Sequence, residues 1–163
     1  MKDKTSVLFV CMGNICRSPM AEGYFRHLLA QRAEHLNVSI DSAGTHGYHA
    51  GFPPDERAQA VSSRRGFDIS SLAARNVVAT DFEIFDYIVA MDQDNLEDLK
   101  SKADPAYHDR IHLFLDYSEA HAGADVPDPY YGGKIGFERV LDLIEIAAEG
   151  LLEELKDTAK RKT

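Results

Sequence analysis

The chain has 163 residues, 44% of them hydrophobic and 28% charged, the make-up of an ordinary soluble globular protein with enough chain for one domain around a real core. Its 18 basic residues stand against 27 acidic ones, a formal charge of −9, which argues against a general binder of nucleic acid or of anionic membranes. Any anion this protein takes up has to be drawn by a local site.

Taken in chain order, Met1-Lys2-Asp3-Lys4-Thr5 shows no signal-peptide pattern. No apolar run is long enough to span a bilayer, and two cysteines within one loop make no extracellular disulfide framework. A cytoplasmic chain without a membrane segment is expected. Ser6 to Val10 reads as a fully buried strand. Ser18 and Pro19 suit the N-cap and first position of a helix, whose apolar residues Ala21, Tyr24, Phe25, Leu28 and Leu29 carry it to about His35. Val38 to Ser42 reads as a second strand. Strand, helix and strand in so short a stretch make a βαβ unit, hence a parallel sheet.

Ala43 to Pro54, rich in Gly and Pro, is a loop over the carboxyl edge of that sheet. Asp55 begins a helix to about Arg65 with Gly66 as its stop, and Thr80-Asp81-Phe82-Glu83 has capping-box spacing. Tyr87 to Met91 is a third strand, Gln93 to Ala103 a helix halted by Asp104-Pro105, and Ile111 to Phe114 a fourth strand. Asp116 to Gly133 has little periodicity. In the last helix Phe137, Val140, Leu141, Ile144, Ala147, Ala148, Leu151, Leu152 and Leu155 recur at helical spacing. Lys156, Lys160, Arg161 and Lys162 then suit its C-terminal dipole. The prediction is a single α/β domain over residues 1–163: a four-stranded parallel sheet, helices on both faces, and a phosphate-binding loop after the first strand.

That loop is Cys11-Met12-Gly13-Asn14-Ile15-Cys16-Arg17-Ser18-Pro19. A cysteine at the carboxyl end of a strand, against a helix N-terminus, sits where unpaired amides and the helix dipole favour an anion or a thiolate. Gly13 permits close backbone approach, and Asn14 tolerates left-handed φ. Arg17 offers two parallel donors to phosphate oxygens, and Ser18 can donate to the sulfur. A nucleophilic Cys11 cradled for a phosphoryl group accounts for all of these. A buried structural cysteine would not call for the Gly, Asn, Arg and Ser-Pro that follow, while a disulfide between the two cysteines stays open. A metal site lacks further cysteines and a histidine at ligand spacing.

The nine-residue loop followed by Met20-Ala21-Glu22 resembles that of the low-molecular-weight protein tyrosine phosphatases. Asp41-Ser42-Ala43-Gly44-Thr45, Asp55-Glu56-Arg57-Ala58, Phe85-Asp86-Tyr87-Ile88, Met91-Asp92 and Asp128-Pro129-Tyr130-Tyr131-Gly132 resemble family segments in family order. The resemblance covers nearly the whole chain. It implies that Cys11 attacks phosphorus and forms a phosphocysteine, while Arg17 and the amides of Met12, Gly13, Asn14, Ile15, Cys16 and Ser18 hold the phosphate oxygens. Asp128 would protonate the leaving phenolate and then activate water. By pattern alone Asp128-Pro129 is a simple turn, and only the resemblance gives it that role.

Ser42 would support the loop through Asn14, and Tyr48, Tyr130 and Tyr131 would wall the phosphotyrosine ring. Cys16 would form a reversible, protective disulfide with Cys11. Ile15 stands where the related arginine phosphatases carry Thr, which points to phosphotyrosine. No cofactor and no metal is implied. The partners are phosphotyrosine-containing proteins, with a bacterial tyrosine autokinase as one candidate, and the chain a monomer or weak dimer. Residues 44–49 resemble bacterial members more than animal ones. Many members place a His before Ala-Arg to brace the loop Asn. Here the segment reads Ser70-Ser71-Leu72-Ala73-Ala74-Arg75, so that brace on Asn14 is either missing or replaced, and no His is assigned.

Rival readings are weaker. An arsenate reductase on this fold needs further thiols around residues 75–95, and none is there. A non-catalytic phosphate-binding module would not need Cys11, Arg17 and Asp128 together. Asp92-Gln93-Asp94 looks like an aspartyl-phosphatase motif, but Leu96 breaks it and Asp92 reads as a helix cap. His46 and His49 read as loop residues, and His108 and His112 do not share a face as helical metal ligands would.

Overall fold

The computed structural model describes residues 4–130 and 134–161. Its sheet has four parallel strands, β1 (Thr5–Cys11), β2 (Val38–Gly44), β3 (Tyr87–Ala90) and β4 (Ile111–Leu113), in the order β2-β1-β3-β4. β1 is buried on both faces, which is why it reads as an unbroken apolar run. Val7 and Phe9 face one core, Leu8 and Val10 the other.

On the Phe9 face lie α1 (Arg17–Arg32), α2 (Glu56–Arg64) and α5 (Lys134–Arg161). Phe9 meets Phe25 of α1 and Phe114, with ring centroids 5.8 and 5.2 Å away. The stripe from Phe137 to Leu155 is buried at every predicted position. Gly150 lets α5 approach the 3-10 turn Phe114–Tyr117, because a Cβ there would stand 1.9 Å from the Tyr117 carbonyl oxygen. The opposite face is covered by α3 (Asp81–Ile84) and α4 (Gln93–Lys102), through Phe82, Phe85, Leu99 and Ala103. No helix among the described residues is long and apolar enough to cross a membrane.

Strand order reverses at β1: the chain crosses to β2 on one side and to β3 on the other. Such a switch point opens a crevice at the carboxyl ends of the strands, and Cys11 ends β1 there.

Several local expectations are corrected. α1 starts at Arg17 with Cys16 as N-cap and no side-chain cap bond, and it ends at Arg32. Ser18 is therefore inside the helix, its hydroxyl turned to the Cys11 sulfur. Thr80 makes no side-chain cap either. Asp81 takes over the local bonding by accepting the Val78 N–H. The stretch after β4 is built from 3-10 turns at Phe114–Tyr117 and Glu119–His121. Asp55 caps α2 by accepting the Arg57 N–H, as the sequence suggests.

Candidate active site

Cys11 is buried at the end of β1, and the chain after it curls back before α1 begins. The first-turn amides of a helix have no intrahelical acceptor and carry the positive end of its dipole, and here they open directly from the loop. Cys11 Sγ receives the Asn14 N–H at 3.3 Å and lies 3.1 Å from Ser18 Oγ. Ser18 Oγ already accepts the Asn14 Nδ2 amide at 2.7 Å, so its own hydrogen is free for the sulfur. Two donors thus converge on Sγ, an arrangement that suits a negatively charged sulfur.

Asn14 is the one non-glycine residue with positive φ among those described, at 58°. Its side chain is fully engaged. Nδ2 donates to Ser18 and, at 3.0 Å, to Ser42 Oγ, while Oδ1 accepts the backbone N–H of Arg75 at 3.0 Å. The Arg75 main-chain amide thus braces Asn14 where the sequence offers no histidine to do so. Ser42 passes its own hydrogen to Glu22 Oε1 at 2.7 Å, and buried Glu22 pairs with Arg26 at 2.8 Å. Gly44 lets β2 run against the loop, since a Cβ there would lie 2.8 Å from the Met12 carbonyl oxygen. The next two amides, Thr45 and His46, donate to the Cys11 and Met12 carbonyls, each at 2.9 Å.

Arg17 is buried, and its Nη1 donates to Asp92 Oδ2 at 2.6 Å and to the Val126 carbonyl at 2.9 Å. Burial works against its charge, but Cys11 and Asp92 more than offset that and hold it firmly protonated. Asp92 is the helix cap expected, its Oδ1 taking the Asn95 N–H. Its second oxygen orients Arg17, a role the sequence reading missed.

Asp128 Oδ2 lies 3.6 Å from Arg17 Nη2, and Oδ1 accepts the Tyr130 N–H at 3.0 Å. The simple turn and the site residue are therefore one feature. Cys11, Arg17 and Asp128 share a pocket of about 350 Å³ that Met12, Gly13, Ile15, Cys16, Tyr48 and Tyr130 also line. Asn14, Ser18 and Ser42 are buried and do not line it. Tyr131 lies outside the described residues. His49, read from the sequence as a loop residue, also lines the pocket; its ring sits between those of Phe52 and Tyr130, with centroids 6.0 and 6.2 Å away. Tyr48 is 77% exposed and stacks on His46. Cys11 and Cys16 are both free thiols. Burial, followed by the charges of Cys11, Asp55 and Asp128, pushes the Cys16 thiol well above the usual thiol range.

The family model for low molecular weight phosphotyrosine protein phosphatases matches residues 6–161. The chain is 46% identical over 151 residues to the low molecular weight protein-tyrosine-phosphatase YfkJ of Bacillus subtilis, covering 93% of this chain and 96% of that one. It superposes on the crystal structure of a protein tyrosine phosphatase from Entamoeba histolytica with a TM-score of 0.88 at 42% identity, covering 94% and 98% of the two chains. A Drosophila arginine phosphatase is also similar, with a TM-score of 0.84 at 35% identity over 92% and 97%.

Proposed function

Because the chain belongs to the low molecular weight phosphotyrosine protein phosphatase family, we propose that it hydrolyses phosphotyrosine in proteins, with Cys11 as nucleophile, Arg17 as phosphate clamp and Asp128 as general acid and base. The observation that carries this reading is the convergence of these three side chains on one pocket.

In the first step the Cys11 sulfur attacks phosphorus, an S–P bond forms, and the bond from phosphorus to the phenolic oxygen breaks. Asp128 gives that oxygen its proton, which a phenolate leaving group (pKa about 10) needs. In the second step Asp128, now a carboxylate, takes a proton from water as the water oxygen attacks phosphorus. The S–P bond breaks, and inorganic phosphate leaves. Charge on the transferring group is met by the Arg17 guanidinium and the loop amides, preset by Asp92 and Asn14. The Ser18 hydroxyl stabilises the departing sulfur at the end of the cycle.

Tyr48 and Tyr130 supply rigid aromatic faces for the substrate ring. Ile15, an apolar residue, lines the pocket, which favours a phenolic ester over the nitrogen-bonded phosphate of an arginine phosphatase substrate. Cys16 serves as a redox partner: when an oxidant converts Cys11 to a sulfenic acid, the Cys16 sulfur displaces water and closes a disulfide that a thiol reductant reopens. Matched peptides carrying phosphotyrosine or phosphoarginine test the assignment. Release of phosphate from the tyrosine peptide is expected; preferential turnover of the arginine peptide would reverse it.

A further inference from the structure

We infer that Arg57, which stands outside the pocket, is a positioning residue that fixes Asp128 over Cys11 by tying the loop of the proton donor to the helix end that anchors the phosphate loop. The inference rests on Asp128 being that donor.

The tie begins at the phosphate loop. The backbone N–H of Asp55, at the N-cap of α2, donates to the Ile15 carbonyl at 2.8 Å. The Asp55 carboxylate then holds Arg57 on both oxygens, Nε to Oδ1 at 3.0 Å and Nη2 to Oδ2 at 2.9 Å. The same Nη2 donates to the Tyr130 carbonyl at 3.0 Å. Tyr130 in turn gives its N–H to Asp128 Oδ1. A run of hydrogen bonds thus leads from Ile15, beneath the nucleophile, to the carboxyl group of the donor. The guanidinium also lies 4.7 Å from the Phe137 ring centroid of α5 and 5.6 Å from that of Tyr130, so its position is set by packing as well as by Asp55.

Asp128 needs such a hold. Its side chain is 37% exposed, and its 3.6 Å approach to Arg17 is loose for a charged hydrogen bond. Upstream, the loop is fastened at Val126, whose N–H donates to Met91 and whose carbonyl accepts from Arg17. Downstream, Arg57 takes hold at Tyr130, two residues past Asp128. Proton transfer needs heavy atoms within about 3 Å, and a misplacement near 1 Å can cost about a hundredfold. A residue that sets this loop should therefore act chiefly on the proton-dependent part of the reaction, with only a small loss common to all substrates through Tyr130.

The test is kcat/KM, which reads the steps up to phenol departure, across aryl phosphates whose phenols range from weakly to strongly acidic. Wild type, Arg57→Ala, Arg57→Met, Asp128→Asn and the Arg57→Met/Asp128→Asn double variant are compared. Arg57→Met keeps an apolar stem against Phe137 but cannot donate, which guards against loss of fold. Both Arg57 variants should lose about tenfold on the weakly acidic phenols and less than about twofold on the most acidic ones. Competitive inhibition by inorganic phosphate should stay within about twofold of wild type, because Asp55 still holds Ile15 through its backbone. In the Asp128→Asn background, Arg57→Met should cost little more. An equal loss across the series, or a full loss in that background, would overturn the inference and leave the proton-donor reading standing. A flat series for Asp128→Asn itself would overturn that reading and this inference with it.

Discussion

Asn14 is held in its left-handed conformation by the main chain of Arg75, whose N–H reaches Asn14 Oδ1 at 3.0 Å. The Arg75 carbonyl accepts the Gly44 N–H at 2.8 Å, so one residue is bonded to both the phosphate loop and the end of β2. Its guanidinium in turn spans Asp41, at 3.1 Å, and buried Asp81, at 3.0 Å. The Cys11 loop is thus fixed by backbone that the sheet edge and α3 hold in place.

Two substitutions at Asn14 separate its backbone strain from its hydrogen bonds. Asn14→Gly keeps the φ of 58° available, whereas Asn14→Ala adds about 1–2 kcal/mol of left-handed strain. Denaturant unfolding should find the alanine variant less stable than the glycine variant by about that amount. Both should lose at least about tenfold in kcat/KM, because neither can bond Ser18, Ser42 and Arg75. A glycine variant with wild-type turnover would assign Asn14 to conformation alone.

Arg17 is nearly fully buried beside Asp92. Asp92→Ala removes a counter-charge and a helix cap together, so unfolding free energy should fall by about 2–4 kcal/mol. Asp92→Asn retains the cap but not the charge and should lie between that variant and wild type. Denaturant titration of the three proteins decides. Equal stability for wild type and Asp92→Ala would mean that the Val126 carbonyl and Asp128 suffice for Arg17.

The redox role of Cys16 predicts a difference in recovery. Mild peroxide should inactivate wild type reversibly, activity returning with a thiol reductant, and Cys16→Ser irreversibly, as Cys11 climbs the oxidation ladder. Burial keeps Cys16 protonated near neutral pH, so iodoacetamide should label Cys11 first, and inorganic phosphate should block that label. Identical recovery in the two proteins, or first labelling at Cys16, would remove the role.

Far from the pocket, burial among Tyr87, Tyr117 and α5 holds His112 below its ordinary value of 6.5, against the opposing pull of Glu154. The folded state then binds fewer protons than the unfolded chain below that pH, so stability falls as pH drops through 6.5. His112→Gln should flatten the loss in urea midpoint between about pH 7.5 and pH 5.5. An undiminished loss would place the acid sensitivity elsewhere.

Much of this was legible in the residues because the signals were local. The apolar run of β1, the Gly and Asn of the loop, and the stripe from Phe137 to Leu155 each follow from short-range spacing. The pattern at Ser18 suits a helix cap, while a sulfur seven positions away claims its hydroxyl. Asp92, Glu22 and Arg57 carry no local mark of their partners. Asp92 meets Arg17 across 75 positions and Arg57 meets Tyr130 across 73, pairings that exist only once the sheet has brought loops together. The brace on Asn14 was invisible for a different reason: it is a backbone N–H, which every non-proline residue possesses.

On the proposed mechanism the phosphoryl group passes through the Cys11 sulfur. Rapid acid quench during turnover of an aryl phosphate, followed by mass analysis of the peptides, tests it most directly. With a strongly acidic phenol as leaving group, whose departure needs no proton, Asp128→Ala should raise the yield by slowing hydrolysis of the intermediate. One phosphoryl group is expected on the peptide holding Cys11, and none in Cys11→Ser, which should keep its fold and lose turnover. A phosphoryl group on any other residue, or unimpaired turnover by Cys11→Ser, would contradict it.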